Sequence, residues 1–319
     1  MNVAIITGIT GQDGAYLSKL LLTKNYKIIG LLRNKTSLNL DKLNYLNITK
    51  KIIFENCDLN NLADIINIIN KYKPNEIYNL ASQSSVGLSF RNPLDTLNFN
   101  IFSTANILEA IKIIDKNIKF YQASSSEMFG STNNLPFTEK SIFYPVSPYG
   151  ISKASAHWIT VNYRESFGLF TTSGILFNHE SVLRGNNFII KKIIKTSFDI
   201  LKGKTEVLEV GNIDIKRDFG YAPKYVEAMY LMMQYEKPDD YIISSGVSLS
   251  IREIINYIFD KLNISRDKIV INEEFFRPNE IKNIYGNSFK AKEILKWNYE
   301  MSFYRVLDIL IEEEKKLYE

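Results

Sequence analysis

Tyr149 and Lys153 stand four residues apart in the stretch Ser147-Pro148-Tyr149-Gly150-Ile151-Ser152-Lys153. That spacing puts both side chains on one face of a helix, a phenol beside an ammonium. A phenol near its reference pKa of about 10 is a poor base at neutral pH, and a neighbouring positive charge lowers that value so that the phenolate can take a proton from an alcohol. Taken alone, such a pair is equally well read as a plain amphipathic helix. The segment Gln122-Ala123-Ser124-Ser125-Ser126-Glu127 alters the balance. Ser125 offers a hydroxyl to steady a reacting oxygen. Glu127 offers a carboxylate for acid–base work beyond the phenol, which a simple reductase does not need. The bland alternative for this segment is a capping turn.

A second constellation lies at the start of the chain, Gly8-Ile9-Thr10-Gly11-Gln12-Asp13-Gly14. Glycines at this spacing between a strand and a helix let the backbone turn sharply and approach a pyrophosphate, whose charge the helix N-terminus stabilises. A merely tight turn is the alternative, and the position after the first strand favours the dinucleotide. The next strand ends Leu31-Leu32-Arg33-Asn34-Lys35, with no acid before Asp41. An acid there would bind the ribose 2′-hydroxyl of NAD. Arg33 instead suits a 2′-phosphate, so the expectation is NADP(H), with NAD left open and a solvated arginine as the alternative.

These groups need a scaffold, and the rhythm of the chain supplies one. Strands are predicted at Val3–Thr7, Lys27–Leu32, Glu76–Leu80, Ile118–Ala123 and Gly174–Phe177, and helices at Asp13–Lys24, Leu62–Tyr72, Thr96–Asp115 and from Ser147-Pro148 to about Phe167. Serine followed by proline is a helix start. Alternation of this kind predicts an α/β fold, a doubly wound parallel sheet covered on both faces. Beyond Asn178 the rhythm breaks, and a helix near Asn187–Leu201 with short strands predicts a smaller lobe. The expected division is 1–178, with returning segments within about 211–247, for the first domain, and 179–210 with 248–319 for the second.

Bulk properties narrow the partners. The 319 residues are 45% hydrophobic, enough for one large domain and a smaller one. With 39 Lys+Arg interleaved among 35 Asp+Glu, a net +4, the charge suits an anionic small molecule and argues against a nucleic-acid surface. One cysteine, Cys57, allows no internal disulfide and fits a reducing cytoplasm. Two histidines without a cysteine cluster argue against a transition-metal site, and neither a signal peptide nor a membrane span is expected.

Taken in order along the chain, these stretches resemble the GDP-mannose 4,6-dehydratase family of extended short-chain dehydrogenases. The likeness rests on Gly8 through Gly14, Ile77-Tyr78-Asn79-Leu80, Phe120 through Glu127, and Phe143-Tyr144-Pro145 with Ser147-Pro148-Tyr149-Gly150. It continues through Gly174-Ile175-Leu176-Phe177-Asn178-His179-Glu180-Ser181, Gly211-Asn212 with Lys216-Arg217-Asp218, and Phe276-Arg277-Pro278-Asn279-Glu280. The resemblance implies a Rossmann-type domain with a C-terminal nucleotide-sugar lobe, and an enzyme that turns GDP-mannose or a related GDP-sugar into a 4-keto-6-deoxy sugar. It implies that Ser125, Glu127, Tyr149 and Lys153 are the catalytic set. Gly8, Thr10, Gly11, Gln12, Asp13, Gly14 and Arg33 would hold the dinucleotide together with Asp58 (at the adenine), Leu59, Leu80, Ala81, Ser82, Ser84, His179 and Arg184, beside Tyr149 and Lys153. Ser85, Asn178, Lys192, Arg217, Arg277 and Glu280 would join Ser125 and Glu127 around the substrate, the arginines on phosphates and Glu280 on ribose hydroxyls. The family implies a homo-oligomer, tetramer or dimer, with the Asn34–Asn39 loop reaching a neighbour's cofactor. Three departures stand out. Serine replaces the usual threonine at Ser125, Ser181-Val182-Leu183-Arg184-Gly185 has one basic residue fewer, and Ser85-Val86-Gly87-Leu88 lacks the family's basic residue. A C4 dehydrogenase or epimerase acting on a GDP-hexose or GDP-heptose is the alternative, and a non-catalytic NADP sensor a remote one.

Overall fold

The computed structural model describes residues 1–33, 39–131 and 134–318. In chain order the first half reads β1 (Val3–Thr7), α1 (Gln12–Thr23), β2 (Lys27–Leu32), α2 (Asp41–Tyr45), β3 (Ile52–Asn56), α3 (Leu62–Tyr72), β4 (Glu76–Asn79), α4 (Val86–Arg91), α5 (Pro93–Ile114), β5 (Lys119–Ser125), α6 (Pro148–Phe167) and β6 (Thr171–Leu176). The second half reads β7 (Asn178–Glu180), α7 (Ile189–Leu201), β8 (Leu208–Val210), β9 (Lys216–Tyr221), α8 (Ala222–Gln234), β10 (Asp240–Ile243), β11 (Ser248–Ser250), α9 (Ile251–Leu262), β12 (Ile269–Ile271), β13 (Asn283–Ile284), α10 (Phe289–Leu295) and α11 (Phe303–Tyr318).

Seven strands form one parallel sheet in the order β10-β6-β5-β4-β1-β2-β3. This is the doubly wound α/β sheet. Its order reverses between β1 and β4, and a ligand crevice opens at the strands' C-terminal ends there. Ile5, Ile6, Ile28, Ile29, Ile77 and Phe120 are almost wholly buried, because parallel strands are covered on both faces and carry apolar side chains on both. Two strands exceed what the sequence predicts. β3 is an edge strand, half exposed, so it lacks a continuous apolar run. β6 starts three residues early, at Thr171-Thr172-Ser173. There the Thr171 hydroxyl donates to the Thr160 carbonyl (2.8 Å) and that of Thr172 to the Asp239 carbonyl (2.6 Å), so both threonine hydroxyls are satisfied inside the sheet.

The second lobe has its own core, from Ile190, Ile193 and Ile194 of α7, Ile254, Ile255 and Phe259 of α9, and Phe303, Val306 and Leu307 of α11. It holds a small sheet, β11-β9-β13 with β7 beside β9, and the pair β12-β8. The segments expected to return to the main sheet divide. α8 packs on α1, β5 and β6, and β10 adds the edge strand beside β6. β9, within the same stretch, belongs to the small sheet instead. Ala291, Leu295 and Trp297, expected in the second lobe, pack with the core around β1 and α8. No helix among the described residues is long and apolar enough to cross a membrane.

Candidate active site

Three elements deliver four chemistry-bearing side chains to one groove. Helix α6 starts cleanly. The Ser147 hydroxyl accepts the Gly150 N–H at 3.0 Å, Pro148 occupies the first turn, and Gly168 closes the helix in the left-handed region (φ 70°). This fixes Tyr149 and Lys153 one turn apart against the end of β5. The Lys153 ammonium donates to the Ala123 carbonyl at 2.9 Å and stands 5.8 Å from the Tyr149 ring centroid. Ser125 ends β5, and its hydroxyl lies close enough to Tyr149 to favour the phenolate. The same hydroxyl accepts the Glu127 N–H at 3.3 Å and caps the 3-10 turn Ser126–Met128. The capping turn and the reactive-hydroxyl reading are therefore compatible. All four side chains are buried.

Electrostatics depart from the simple phenol–ammonium expectation. Burial pushes the Tyr149 phenol up to about 12, with the Glu127 charge adding to it and the Ser125 hydrogen bond and the Arg184 charge opposing it. Burial also pulls the Lys153 ammonium down to about 8. Arg184 is a further cation that favours the phenolate, a contribution invisible in the Tyr149–Lys153 spacing.

Two cavities meet along the C-terminal edge of the sheet. The larger, about 560 Å³, is lined by Gly8, Thr10, Gly11, Gln12, Asp13, Gly14, Arg33, Asp58, Leu59, Leu80, Ala81, Ser82, Ser84 and Arg184. The other, about 390 Å³, is lined by Ser85, Ser125, Glu127, Tyr149, Lys153, Asn178, His179, Lys192, Arg217, Arg277 and Glu280. Asp13, Leu80, Ser82, Ser84 and Arg184 border both, so the two form one groove. Every residue singled out in the sequence for cofactor or substrate borders it. Asn34–Leu38, the bulk of the loop expected to reach a neighbour, lie outside the described residues.

The turn at Gly8–Gly14 fits a dinucleotide phosphate. Gly8 has φ +66°, and a Cβ on it would sit 2.8 Å from the Ala81 nitrogen. At Gly14 a Cβ would sit 2.4 Å from the Gly8 carbonyl oxygen, so α1 can press against the turn only without a side chain. Thr7 ties β1 to β4 by accepting the Leu80 and Ala81 N–H groups at 3.0 and 2.9 Å. Asn100 of α5 holds the following segment, accepting from Gln83 N–H (2.9 Å) and the Ser82 hydroxyl (3.1 Å) and donating to the Ser152 hydroxyl (2.9 Å).

Several expected contacts are already engaged within the protein. His179 meets the Phe177 carbonyl through Nδ1 (2.7 Å) and the Asp13 carboxylate through Nε2 (2.9 Å), two acceptors that favour the protonated ring. Burial opposes both charges, yet their mutual attraction holds the Asp13 carboxyl below and the His179 ring above its usual value. Gln12 donates to the His179 carbonyl at 3.1 Å and accepts from the Ser181 hydroxyl at 2.7 Å. Arg217 is buried, donates to the Lys216 and Ile281 carbonyls (2.9 and 2.6 Å), and meets Glu280 at 3.2 Å. Arg277 meets the same Glu280 oxygen at 3.3 Å. Glu280 therefore bridges two arginines through a single oxygen, Oε1. Lys192 lies 4.5 Å from the ring centroid of Phe275, a half-exposed aromatic in the cavity wall.

Sequence reasoning missed Lys42, Phe275 and Glu180, which also line the groove. Lys42 belongs to no motif and carries no signal. Glu180 lies inside the quoted Gly174–Ser181 run but was overlooked between His179 and Ser181. It is buried and lies 3.4 Å from Arg184, whose guanidinium covers the Phe188 ring at 3.6 Å. Among the described residues no group of three or more His, Cys, Asp or Glu is arranged to hold a metal.

Comparison with known proteins agrees with this geometry. Solved structures share the fold. A UDP-glucose 4-epimerase of Thermotoga maritima with UDP-glucose superposes at TM-score 0.88 with 21% identity, covering 99% of this chain and all of that one. A dTDP-glucose 4,6-dehydratase of Bacillus anthracis with NAD gives 0.86 and 22% over 99% and 97%. RMD of Pseudomonas aeruginosa with NADPH gives 0.83 and 22% over 99% and 100%. Sequence relatives are nearer. GDP-mannose 4,6 dehydratase 2 of Arabidopsis thaliana is 41% identical over 99% of this chain and 87% of its own, and the Homo sapiens GDP-mannose 4,6 dehydratase 39% over 95% and 88%. The family model described as GDP-mannose 4,6 dehydratase matches residues 5–310, and the chain belongs to that family.

Proposed function

We propose that this protein is a nucleotide-sugar 4,6-dehydratase that uses NADP(H) and converts GDP-mannose, or a closely related GDP-sugar, to the GDP-4-keto-6-deoxy sugar. The observation that carries the reading is the meeting of Tyr149, Ser125 and Glu127 in one buried groove bordered by the glycine turn. The dinucleotide side is the Gly8–Gly14 turn with Arg33, and the sugar-nucleotide side is the wall from Asn178 to Glu280. The domain division follows the same line, the sheet binding the dinucleotide and the second lobe supplying Lys192, Arg277 and Glu280.

A bound nicotinamide would supply the acceptor for hydride leaving C4 and its return at C6. The protein's own residues do the rest. Tyr149 takes the proton of the C4 hydroxyl, with Ser125 holding the oxygen. Because burial disfavours the phenolate, the charges of Arg184 and Lys153 set how readily that proton moves. The C4 ketone acidifies the C5 hydrogen, which Glu127 removes and then passes to the departing C6 hydroxyl, so that one water leaves. One proton, equivalent to that taken from the C4 oxygen, returns to C5. The groove's burial keeps bulk water from the intermediate ketone.

Incubation with GDP-mannose and related GDP-sugars, followed by product mass, tests this. Loss of one water is the expected result. Loss of two hydrogens would assign the protein to C4 oxidation instead, and unchanged mass to epimerisation or no reaction. We also infer a homo-oligomer, from the exposed Phe102 of α5 and Ile151 and Trp158 of the adjoining α6. A single-chain mass by light scattering at working concentration would remove that inference.

A further inference from the structure

We propose that Lys42 is a specificity-determining residue, pairing with Arg33 to seat the 2′-phosphate of the dinucleotide. The proposal rests on the NADP(H) reading above and deepens it. Arg33 follows the end of β2, the place where an α/β dinucleotide site reads the adenosine ribose. Lys42, in the short helix α2, borders the same cavity, and its Nζ donates to the Thr10 carbonyl at 3.2 Å. That bond pins an ammonium onto the glycine turn from the β2 side. The two cations thus border one cavity from separate segments of chain.

Charge accounting in this cavity favours an anion. No carboxylate among the described residues pairs with Lys42. Asp13 is neutralised by His179 at 2.9 Å. Asp58, the other carboxylate in the cavity wall, lies beyond the end of β3 and accepts the Asn60 N–H at 3.0 Å. The Lys42 ammonium is half-buried, and burial together with the Arg184 charge pulls its pKa below the usual lysine value against the opposing charge of Asp13. A half-desolvated cation with no carboxylate in contact is stabilised by a phosphate dianion and gains little from a hydroxyl. The ribose diol of NAD would need an acceptor here and would meet an ammonium and a guanidinium, both donors only.

The test is calorimetric titration of the intact protein and of Lys42→Met, which keeps an apolar stem, with NADPH, NADH, 2′,5′-ADP and 5′-ADP. Wild type should prefer NADPH. Lys42→Met should bind NADPH and 2′,5′-ADP at least tenfold more weakly while NADH and 5′-ADP change less than twofold, and Lys42→Arg should recover most of the loss. Unchanged NADH binding also certifies that the variant is folded. Equal weakening of NADH and NADPH would overturn the assignment by placing Lys42 at the pyrophosphate or as a prop of the turn. Intact NADPH preference in Lys42→Met would overturn it too, with the NADP(H) reading left standing. A wild type that binds NADH as tightly as NADPH would remove both.

Discussion

In the proposed mechanism Glu127 separates this site from one that only oxidises. Its carboxylate is buried at the end of β5 and faces the same cavity as Tyr149, close enough for its charge to oppose ionisation of the phenol. Replacing it with glutamine keeps the shape and removes the base. Glu127→Gln should lower turnover to product by about 10²–10⁴-fold, the usual worth of a positioned acid–base group. It should still reduce cofactor in a single turnover, because removal of the C4 hydrogen does not use Glu127. The paired readouts are reduced-cofactor absorbance and product mass, and full dehydration by the variant would take Glu127 out of the mechanism. Sequence spacing brought Ser125, Glu127, Tyr149 and Lys153 to attention. It could not weigh burial, which raises the phenol and lowers the ammonium, nor find the Arg184 charge, which acts across the fold.

At the scale of elements, the turn from β1 into α1 has little freedom. A Cβ at Gly14 would meet backbone atoms, the Gly8 oxygen at 2.4 Å and the Ile9 Cα at 2.8 Å, and backbone cannot rotate aside as a side chain can. Gly14→Ala should therefore cost roughly 1–3 kcal/mol in stability and push α1 off the turn. Chemical denaturation would read the first effect and dinucleotide titration the second, and a variant with both unchanged would contradict the contact. Elements of this kind were legible because one residue type at one place answers a steric demand. β1, β2 and α3 carry unbroken apolar periodicity and were read to the residue. β3 and the first half of β6 were not, since an edge strand needs no second apolar face and the threonines of β6 hide their hydroxyls in carbonyl bonds. The split of 211–247 between two sheets was equally hidden, because pairing partners depend on where the chain returns and not on local pattern.

Across the whole molecule, the Asp13–His179 ion pair joins the first helix to the strand that enters the second lobe. The sign of its pH dependence follows from the two shifts. His179, with a raised folded value, stabilises below its unfolded pKa of about 6.5 and loses that contribution as pH rises through the folded value. Asp13, with a lowered folded value, stabilises above about 3.9 and loses its contribution as pH falls through the folded value. The pair is therefore worth most between about pH 4 and 6.5. His179→Gln should destabilise by about 3–5 kcal/mol in that window, the cost of leaving a buried charge without its mate. The gap from wild type should narrow at alkaline pH. Denaturation curves at several pH values would check this, and a gap that stays constant would refute it.

The same bond bears on which part of the chain can welcome a phosphate. Asp13 sits at the mouth of the glycine turn, where an unaccompanied carboxylate would repel the pyrophosphate that the helix end attracts. Its cancelling charge arrives only 166 residues later. The charge at the glycine turn is thus set by two distant stretches of chain, and the turn repels an anion less once the strand carrying His179 has docked.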